Sequence, residues 1–577
     1  MQARFDFNPA NRSPLLFRSP DRVVVARTVA EVPAAMAAVD EGLRRGLYAA
    51  GYVAYEAAPA FDRALITHAP SAVPLVYFGL FRSADPAPPL TAADLPASIV
   101  WTPELSAADH ARGVAAIREA IAEGETYQIN YTFRLRAALD PAGLESLYLH
   151  LAGVERVPYA AFLDCGDWQV LSLSPELFFQ LDKGRLVTRP IKGTAVRGRW
   201  AAEDAALGEA LRASEKNRAE NVMIVDLCRN DLSRVCDVGT VRASALCEVE
   251  PYQTVWQMVS TVEGQVRPGI SLGDVFGALF PAGSITGAPK SSSMRLIASL
   301  EHSPRGVYCG AIGFASPDGR AEFNVAIRTL MMNRVSGAAE YGVGGGITWD
   351  STPADEHAEA LSKAACLEVR PPFGLIETMR LEQGALVRVE RHLARLSESA
   401  SYFGFACDLA SIRATLSLHI ATCGPGLARV RLVLGLDGHV QVESRPLDAP
   451  AAGSMLFALA SAPIDGGDRF VCHKTTRRKM YDHHKAMHPD VFDVLLWNDR
   501  RELTEFTRGN VVVEHGGARW TPSRSSGLLA GVFRAELLAA GTIHERTLTL
   551  DDLSTCTRAW FINSLREWVP VHKVKER

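Results

Sequence analysis

The sequence predicts an α+β protein built from two domains, and three observations predict it. Helical and strand-like periodicities alternate along the 577 residues, so neither class accounts for the chain alone. The alternation restarts after Pro371-Pro372, where short strands and a helix begin again. The composition, 47% hydrophobic and 22% charged, is that of a globular chain. The first domain is placed at residues 1–368 and a smaller second one at 372–577, each mixing helix and strand.

In chain order, SADPAPPLTAADLPAS (83–98) reads as a Pro/Ala-rich loop. Residues 105–123 read as a helix, with Leu105, Val114, Ile117 and Ile121 at helical spacing. QINYTFRLRA and WQVLSLSPELFFQL follow as strand candidates, and GRLVTRPI as a strand that runs into Lys192-Gly193. Residues 214–235 form a second helix, N-capped by Ser214. Residues 351–365 form a third: Thr352 caps it, Pro353 suits its first position and Asp355 its first turn. Beyond 371, FGLIETMRL and ALVRVE read as strands, and ERHLARLSESASYFGF as a helix.

Lys plus Arg number 61 against 65 Asp plus Glu, a balance of −4 that argues against nucleic acid or an anionic membrane as the main partner. The opening residues lack a basic stretch followed by an apolar one, and no apolar run is long enough to span a membrane. Ten cysteines lie between Cys165 and Cys556 with no CxxC pair, which fits reduced thiols and a cytoplasmic setting.

Several residues stand out on physical grounds. Lys192 carries an ammonium, costly to bury, where an apolar strand heads inward; it either snorkels to water or attacks a substrate. Glu220 shares a helix face with Met223 and Leu227, so its carboxylate needs a cation, and Arg218 or Arg229 is the plainer partner. Glu356, Glu359 and Lys363 fall on one helical face. Mg²⁺ between the two acids would relieve their repulsion, although the spacing alone reads more simply as a solvated charged face. GSITGAPK places Gly287 and Lys290 at a helix start suited to a carboxylate. YGVGGGITWDS, which includes Gly345, is a glycine loop of weak significance alone.

The ordered set EGETYQIN, LSPELFF, PIKGT, AENVMIVDLCRNDL, FPAGSITGAPK, RGVYCGAIG, FNVAIRT, GGGITWDS and EHAEALSKA resembles the chorismate-utilising enzymes, over roughly residues 15–368. That family includes the anthranilate, aminodeoxychorismate, isochorismate and salicylate synthases. The resemblance implies Mg²⁺ at Glu220, Glu356 and Glu359, an acid/base role for Glu176, and a grip on chorismate by Tyr308, Arg328, Lys290 and the loops around Gly287 and Gly345. Lysine at the position of Lys192 is typical of aminodeoxychorismate synthases, whereas anthranilate synthases carry alanine there; the resemblance therefore implies a nucleophilic lysine. Two positions depart from the family pattern. Gln257 stands where a histidine is common, and Asn217 where an acid is frequent. Residues 13–60 only faintly resemble a tryptophan-binding segment. No glutaminase nucleophile elbow is found, so ammonia is expected from solution or from a separate glutamine amidotransferase subunit.

FGLIETMRL, RHLARLSESA, HKTTRRKMYD, LTEFTRGNVVV, GLLAGVFRAELL and NSLREWVPV resemble the fold-type IV pyridoxal phosphate enzymes, over roughly 373–577. Among these are the branched-chain and D-amino-acid aminotransferases and 4-amino-4-deoxychorismate lyase. The resemblance implies pyridoxal 5′-phosphate on Lys474, with Glu505 at the pyridine nitrogen. Gly531, Val532 and Arg395 would hold the phosphate, Asn563 would lie near the cofactor, and a homodimer could form through this domain. His484 and His488 are spaced for zinc, but no acid completes the pattern, and a solvated helix is the plainer reading.

Together the resemblances imply consecutive steps, from chorismate and ammonia to 4-amino-4-deoxychorismate and then to 4-aminobenzoate, a folate precursor. Two other readings stay open. One is an anthranilate synthase component I fused to an aminotransferase-like domain; the other is a non-catalytic scaffold that binds an amidotransferase.

Overall fold

The computed structural model describes residues 1–7, 13–90, 99–367, 372–424, 426–447 and 455–574. Residues 91–98 of the Pro/Ala-rich stretch and the junction at 368–371 lie outside them. The chain divides into two compact units, Met1–Val196 with Gly208–Arg370, and Arg197–Leu207 with Pro371–Arg577.

Two ten-stranded sheets make the first unit. In one, Gln128–Ala138 and Ala338–Ile347 pair over their whole length, antiparallel. In the other, Val255–Gln265 pairs along one edge with Arg185–Arg189 and then Ile191–Val196, and along the other with Arg242–Pro251. Their inner faces alternate large apolar residues toward a shared core. Phe5 of the first sheet meets Phe314 of the second at 5.3 Å between ring centroids. A second core lies on the outer face of the first sheet. There Val114 and Ile117 of Ala107–Ala122, Leu147 and Leu151 of Leu144–Glu155, and Ala360 of Pro353–Ser362 cover Tyr131, Phe133 and Val343.

The caps form where the side chains dictate. Ser106 accepts from the Asp109 N–H, Ser214 from that of Asn217 and Thr352 from that of Asp355. Helix Glu215–Ser233 buries Asn221, Ile224, Val225, Cys228 and Leu232. Glu220, Met223 and Leu227 form its half-buried shoulder rather than its innermost stripe. Arg229 is taken by Asp226 at 2.8 Å, which removes it as the partner of Glu220.

The second unit holds a four-stranded antiparallel sheet and an eight-stranded mixed one. Leu375–Glu382 alternates, with Leu375, Met379 and Leu381 facing Leu393, Leu396 and Ala400 of helix Val389–Phe403. Gly404, at φ +72°, ends that helix in the left-handed conformation that glycine adopts without strain. Among the described residues no helix is long and apolar enough to cross a membrane.

Candidate active sites

Lys192 projects from a break in a strand. Ile191–Val196 pairs with Val255–Gln265, but the register shifts between Ile191↔Val259 and Thr194↔Gln257, leaving one extra residue. Such a bulge re-aims a side chain. Gly193 takes φ +96°, where an L side chain is strained. Asn221 pins the bulge: its Nδ2 donates to the Lys192 carbonyl at 3.3 Å and to that of Met258 at 3.2 Å, while Ser260 donates to its Oδ1.

Around the Lys192 ammonium stand Glu220, Glu176, Lys363 and Glu359. Burial holds the amine below the usual lysine range, against the pull of Glu220 and Glu176. Glu176 is 3% exposed, and burial pushes its carboxyl up to about 7, opposed in part by the Ile191 N–H at 3.3 Å and by Lys192. Both shifts favour a neutral amine beside a neutral acid.

The glutamates on the two helices interact. Burial raises the Glu220 carboxyl, Lys192 and Lys216 lower it, and Glu356 and Glu359 raise it again. Burial likewise raises Glu356, which accepts from the Ser351 hydroxyl at 2.6 Å. Glu359 pairs with Lys363 at 2.9 Å, and that ammonium also donates to the Gly344 carbonyl at 2.5 Å. Among the described residues no three acidic, histidine or cysteine side chains converge into an ion cage. The donor set nonetheless suits Mg²⁺, a hard cation that keeps several waters and need not touch every carboxylate, and mutual repulsion is what such a cation relieves.

The glycine strand Ala338–Ile347 supplies the floor. A Cβ on Gly345 would stand 3.2 Å from Glu356 Oε2 and 3.6 Å from Lys363 Nζ. One on Gly346 would run into the Gln128 amide and lie 3.1 Å from Lys192 Nζ. Gln128 is 1% exposed, and neither amide atom has a partner among the described residues. Beside the bulge, Gln257 is buried, its Oε1 without a partner among the described residues, and Asn217 donates to the Ser214 hydroxyl at 2.9 Å. Gly287, at φ +154°, pairs with Ile129, and a side chain there would strike the Gln128 carbonyl.

The remaining first-unit candidates are placed differently. Tyr308 is buried against Gly342, with Arg134 5.3 Å from its ring centre. Arg328, at φ +48°, acts electrostatically on Tyr341 and Cys366. Lys290 does not join the Lys192 group; its ammonium bonds Asp231 at 2.9 Å and the Leu279 carbonyl at 3.2 Å.

In the second unit, Lys474 sits beside Leu375–Glu382, its carbonyl accepting from the Ile376 N–H at 2.8 Å. Burial brings its amine down to about 8, with Arg395 and Arg478 acting the same way. Glu505 is 4% exposed. Burial pushes its carboxyl up to about 7, although Tyr481 donates to it at 2.8 Å and the Leu529 N–H also faces it. Arg395 forks onto Glu377 at 2.9 and 2.7 Å and reaches the Ala530 carbonyl at 3.4 Å. Gly531 N-caps helix Val532–Ala539; a side chain there would collide with Asn510 Oδ1. These residues fit pyridoxal phosphate: an amine made nucleophilic by burial, an acid for the ring nitrogen, and a helix start with an arginine for phosphate. Asn563 instead closes a turn, its Oδ1 accepting from the Leu565 and Arg566 N–H groups. His484 is buried, not solvated, on the short helix Lys479–Ala486. Tyr481 and Glu377 carried no sequence signal of their own, because each matters only through a partner distant in the chain.

The sequence model described as chorismate binding enzyme matches residues 14–368, and that of amino-transferase class IV matches residues 374–574. An aminodeoxychorismate synthase of Streptomyces griseus is 47% identical over 251 residues, 43% of this chain and 34% of that protein. An anthranilate synthase component 1 of Streptomyces coelicolor is 42% identical over 268 residues, 46% of this chain and 52% of that protein. The crystal structure of anthranilate synthase component I from Streptococcus pneumoniae aligns with TM-score 0.54 and 25% identity, covering 63% of this chain and 92% of that one. The chain thus spans only about a third to a half of the curated relatives it matches.

Proposed function

The chain belongs to the chorismate binding enzymes, and on that premise we propose that it makes 4-aminobenzoate in two steps. The observation that carries the first step is Lys192: an amine aimed by the bulge at Gly193, whose charged form burial disfavours, beside the protonatable Glu176. Its nitrogen attacks C2 of chorismate as both ring double bonds shift and the C4 hydroxyl leaves as water, taking its proton from Glu176. Ammonia then adds at C4, both double bonds return, and the C2–nitrogen bond breaks. Glu176 recovers a proton from the incoming nitrogen, leaving Lys192 free and 4-amino-4-deoxychorismate formed. Mg²⁺ held by Glu220, Glu356 and Glu359 would supply positive charge for a ring carboxylate. Gln257 and Asn217 leave this route intact, because it asks neither for a proton nor for a charge. Ammonia would come from solution or from a glutamine amidotransferase.

The class IV match and the Lys474 geometry support the second step. Pyridoxal phosphate bound to Lys474, with Arg395 and the Gly531–Val532 N–H groups on its phosphate and Glu505 on its pyridine nitrogen, would supply an electron sink. Lys474 removes the C4 proton and returns one to the methylene carbon of the departing enolpyruvyl group. Pyruvate and 4-aminobenzoate result. We place the protein in the cytoplasm, and its second domain in a homodimer.

Incubating the chain with chorismate, ammonium, Mg²⁺ and pyridoxal phosphate and identifying the aromatic product tests the proposal. Anthranilate, or no turnover, would refute it. Amination by the wild-type chain is expected to fall as pH rises through about 7, where Glu176 loses its proton. Glu176→Gln should be slower by about 10²–10⁴-fold and lack that fall, because an amide has no titrating proton. Gly346→Ala places a methyl group against the Gln128 amide and the Lys192 amine. It is expected to lower kcat by about 10²-fold through misplacement of the nucleophile, with little change in Tm.

A further inference from the structure

Sequence family and structural unit disagree over one short stretch. Residues 197–207 lie within the chorismate binding match, yet Arg197–Leu207 belongs to the second unit. The stretch is braced within itself. Arg197 forks onto Asp204 at 2.7 Å for both bonds, each side chain less than a tenth exposed, and the Gly198 N–H donates to Asp204 at 2.8 Å. A side chain at Gly198 would collide with the Asp204 backbone, so the turn is built for glycine.

Its contacts converge on one histidine. Tyr402 donates its hydroxyl to the Gly198 carbonyl at 2.6 Å. Arg199 Nη1 donates to the carbonyls of Gly466 and Ser525 at 3.1 and 3.0 Å. Trp200 packs on the cluster of Ile464, Val471, Cys472 and Tyr481, with Arg524 5.0 Å from its ring centre. Against this surface His473 is only 4% exposed. Its ring stacks on Tyr402 at 4.5 Å and meets the edge of Phe403 at 4.8 Å. Nε2 lies 3.1 Å from the Arg199 carbonyl, and Nδ1 lies 2.9 Å from the Ser399 hydroxyl. A carbonyl only accepts, so Nε2 carries the hydrogen and Ser399 donates to Nδ1. The next residue is Lys474, whose carbonyl is held by Ile376 while Thr476 N–H reaches the Gly374 carbonyl at 2.9 Å.

We propose that Arg197–Leu207 is a positioning element for Lys474. The Arg199 carbonyl fixes the tautomer and rotation of His473, and so anchors the peptide from which the lysine projects. Strand Leu375–Glu382 holds that peptide on its C-terminal side; the His473 ring, seated on this stretch, holds it on the other. His473 is a positioning residue and takes no part in the chemistry. The inference rests on Lys474 being the cofactor lysine.

The test uses the full chain and reads the affinity for pyridoxal phosphate and the visible circular dichroism of the bound cofactor, which reports its orientation. His473→Leu removes the donor to Arg199; His473→Gln keeps an N–H at comparable reach. The leucine variant is expected to bind the cofactor about tenfold more weakly with a diminished dichroic band, and the glutamine variant to keep most of both. Trp200→Ala, and more mildly Tyr402→Phe, which deletes one hydroxyl and preserves packing, should follow the leucine variant. Wild-type binding and dichroism in both Trp200→Ala and Tyr402→Phe would overturn the proposal, as would equal losses in His473→Gln and His473→Leu. A wild-type chain that binds no pyridoxal phosphate, or a Lys474→Ala variant that keeps the wild-type band, would instead overturn the reading of Lys474 itself and the proposal with it.

Discussion

Lys192→Ala should make no 4-amino-4-deoxychorismate at low ammonia, a loss of at least about 10⁴-fold, the scale on which removing a covalent nucleophile acts. The fold should survive. Gly193 and the Asn221 clasp on the bulge remain, and the lost group is an amine whose burial is itself unfavourable. A thermal scan should therefore show Tm unchanged or raised. At high ammonia, free ammonia would take the place of lysine at C2, and the ring would carry nitrogen there instead of at C4. Mass spectrometry cannot separate the two isomers, but chromatography against authentic 2- and 4-aminobenzoate can. Wild-type yields of 4-aminobenzoate from the alanine variant would remove Lys192 from the chemistry and return it to the role of a half-buried structural lysine.

Lys474→Ala carries the second large effect. Chorismate should still be consumed, but pyruvate release should fall by about 10³-fold or more, and a non-aromatic amino compound should accumulate. Lactate dehydrogenase coupled to NADH reads pyruvate directly, and 4-aminobenzoate fluorescence reads the other product. If the wild-type chain converted 2-oxoglutarate to glutamate and released no pyruvate, the second domain would be a transaminase rather than a lyase.

Much of this arrangement was legible in the sequence. The helices over 105–123, 214–235 and 351–365 were marked by their caps and apolar spacing, because those signals are local. Glu220, Glu356 and Glu359 could be drawn toward one another only by family resemblance; spacing on separate helices says nothing about their meeting. Lys290 shows the opposite failure. A lysine at a helix start reads as an anion site, but Asp231, far away in sequence, neutralises it. Gln128, Asn221, Glu377 and Tyr481 were illegible because an amide, a carboxylate or a phenol becomes informative only once its neighbours across the fold are known. Asn563 closes a local turn through its Oδ1 and reaches the Arg508 carbonyl at 3.2 Å through its Nδ2, and nothing in its identity told a turn residue from a ligand.

The discontinuity of the second unit bears on how the chain can be taken apart. Severing it near residue 370 would not yield two self-sufficient proteins, since the C-terminal piece would leave its Trp200 plug behind and expose the apolar seat beneath. Joining the second unit to another partner at residue 370 would leave behind residues 197–207, which lie inside the chorismate binding match. Transfer of the second unit to a new companion would have to carry that stretch along.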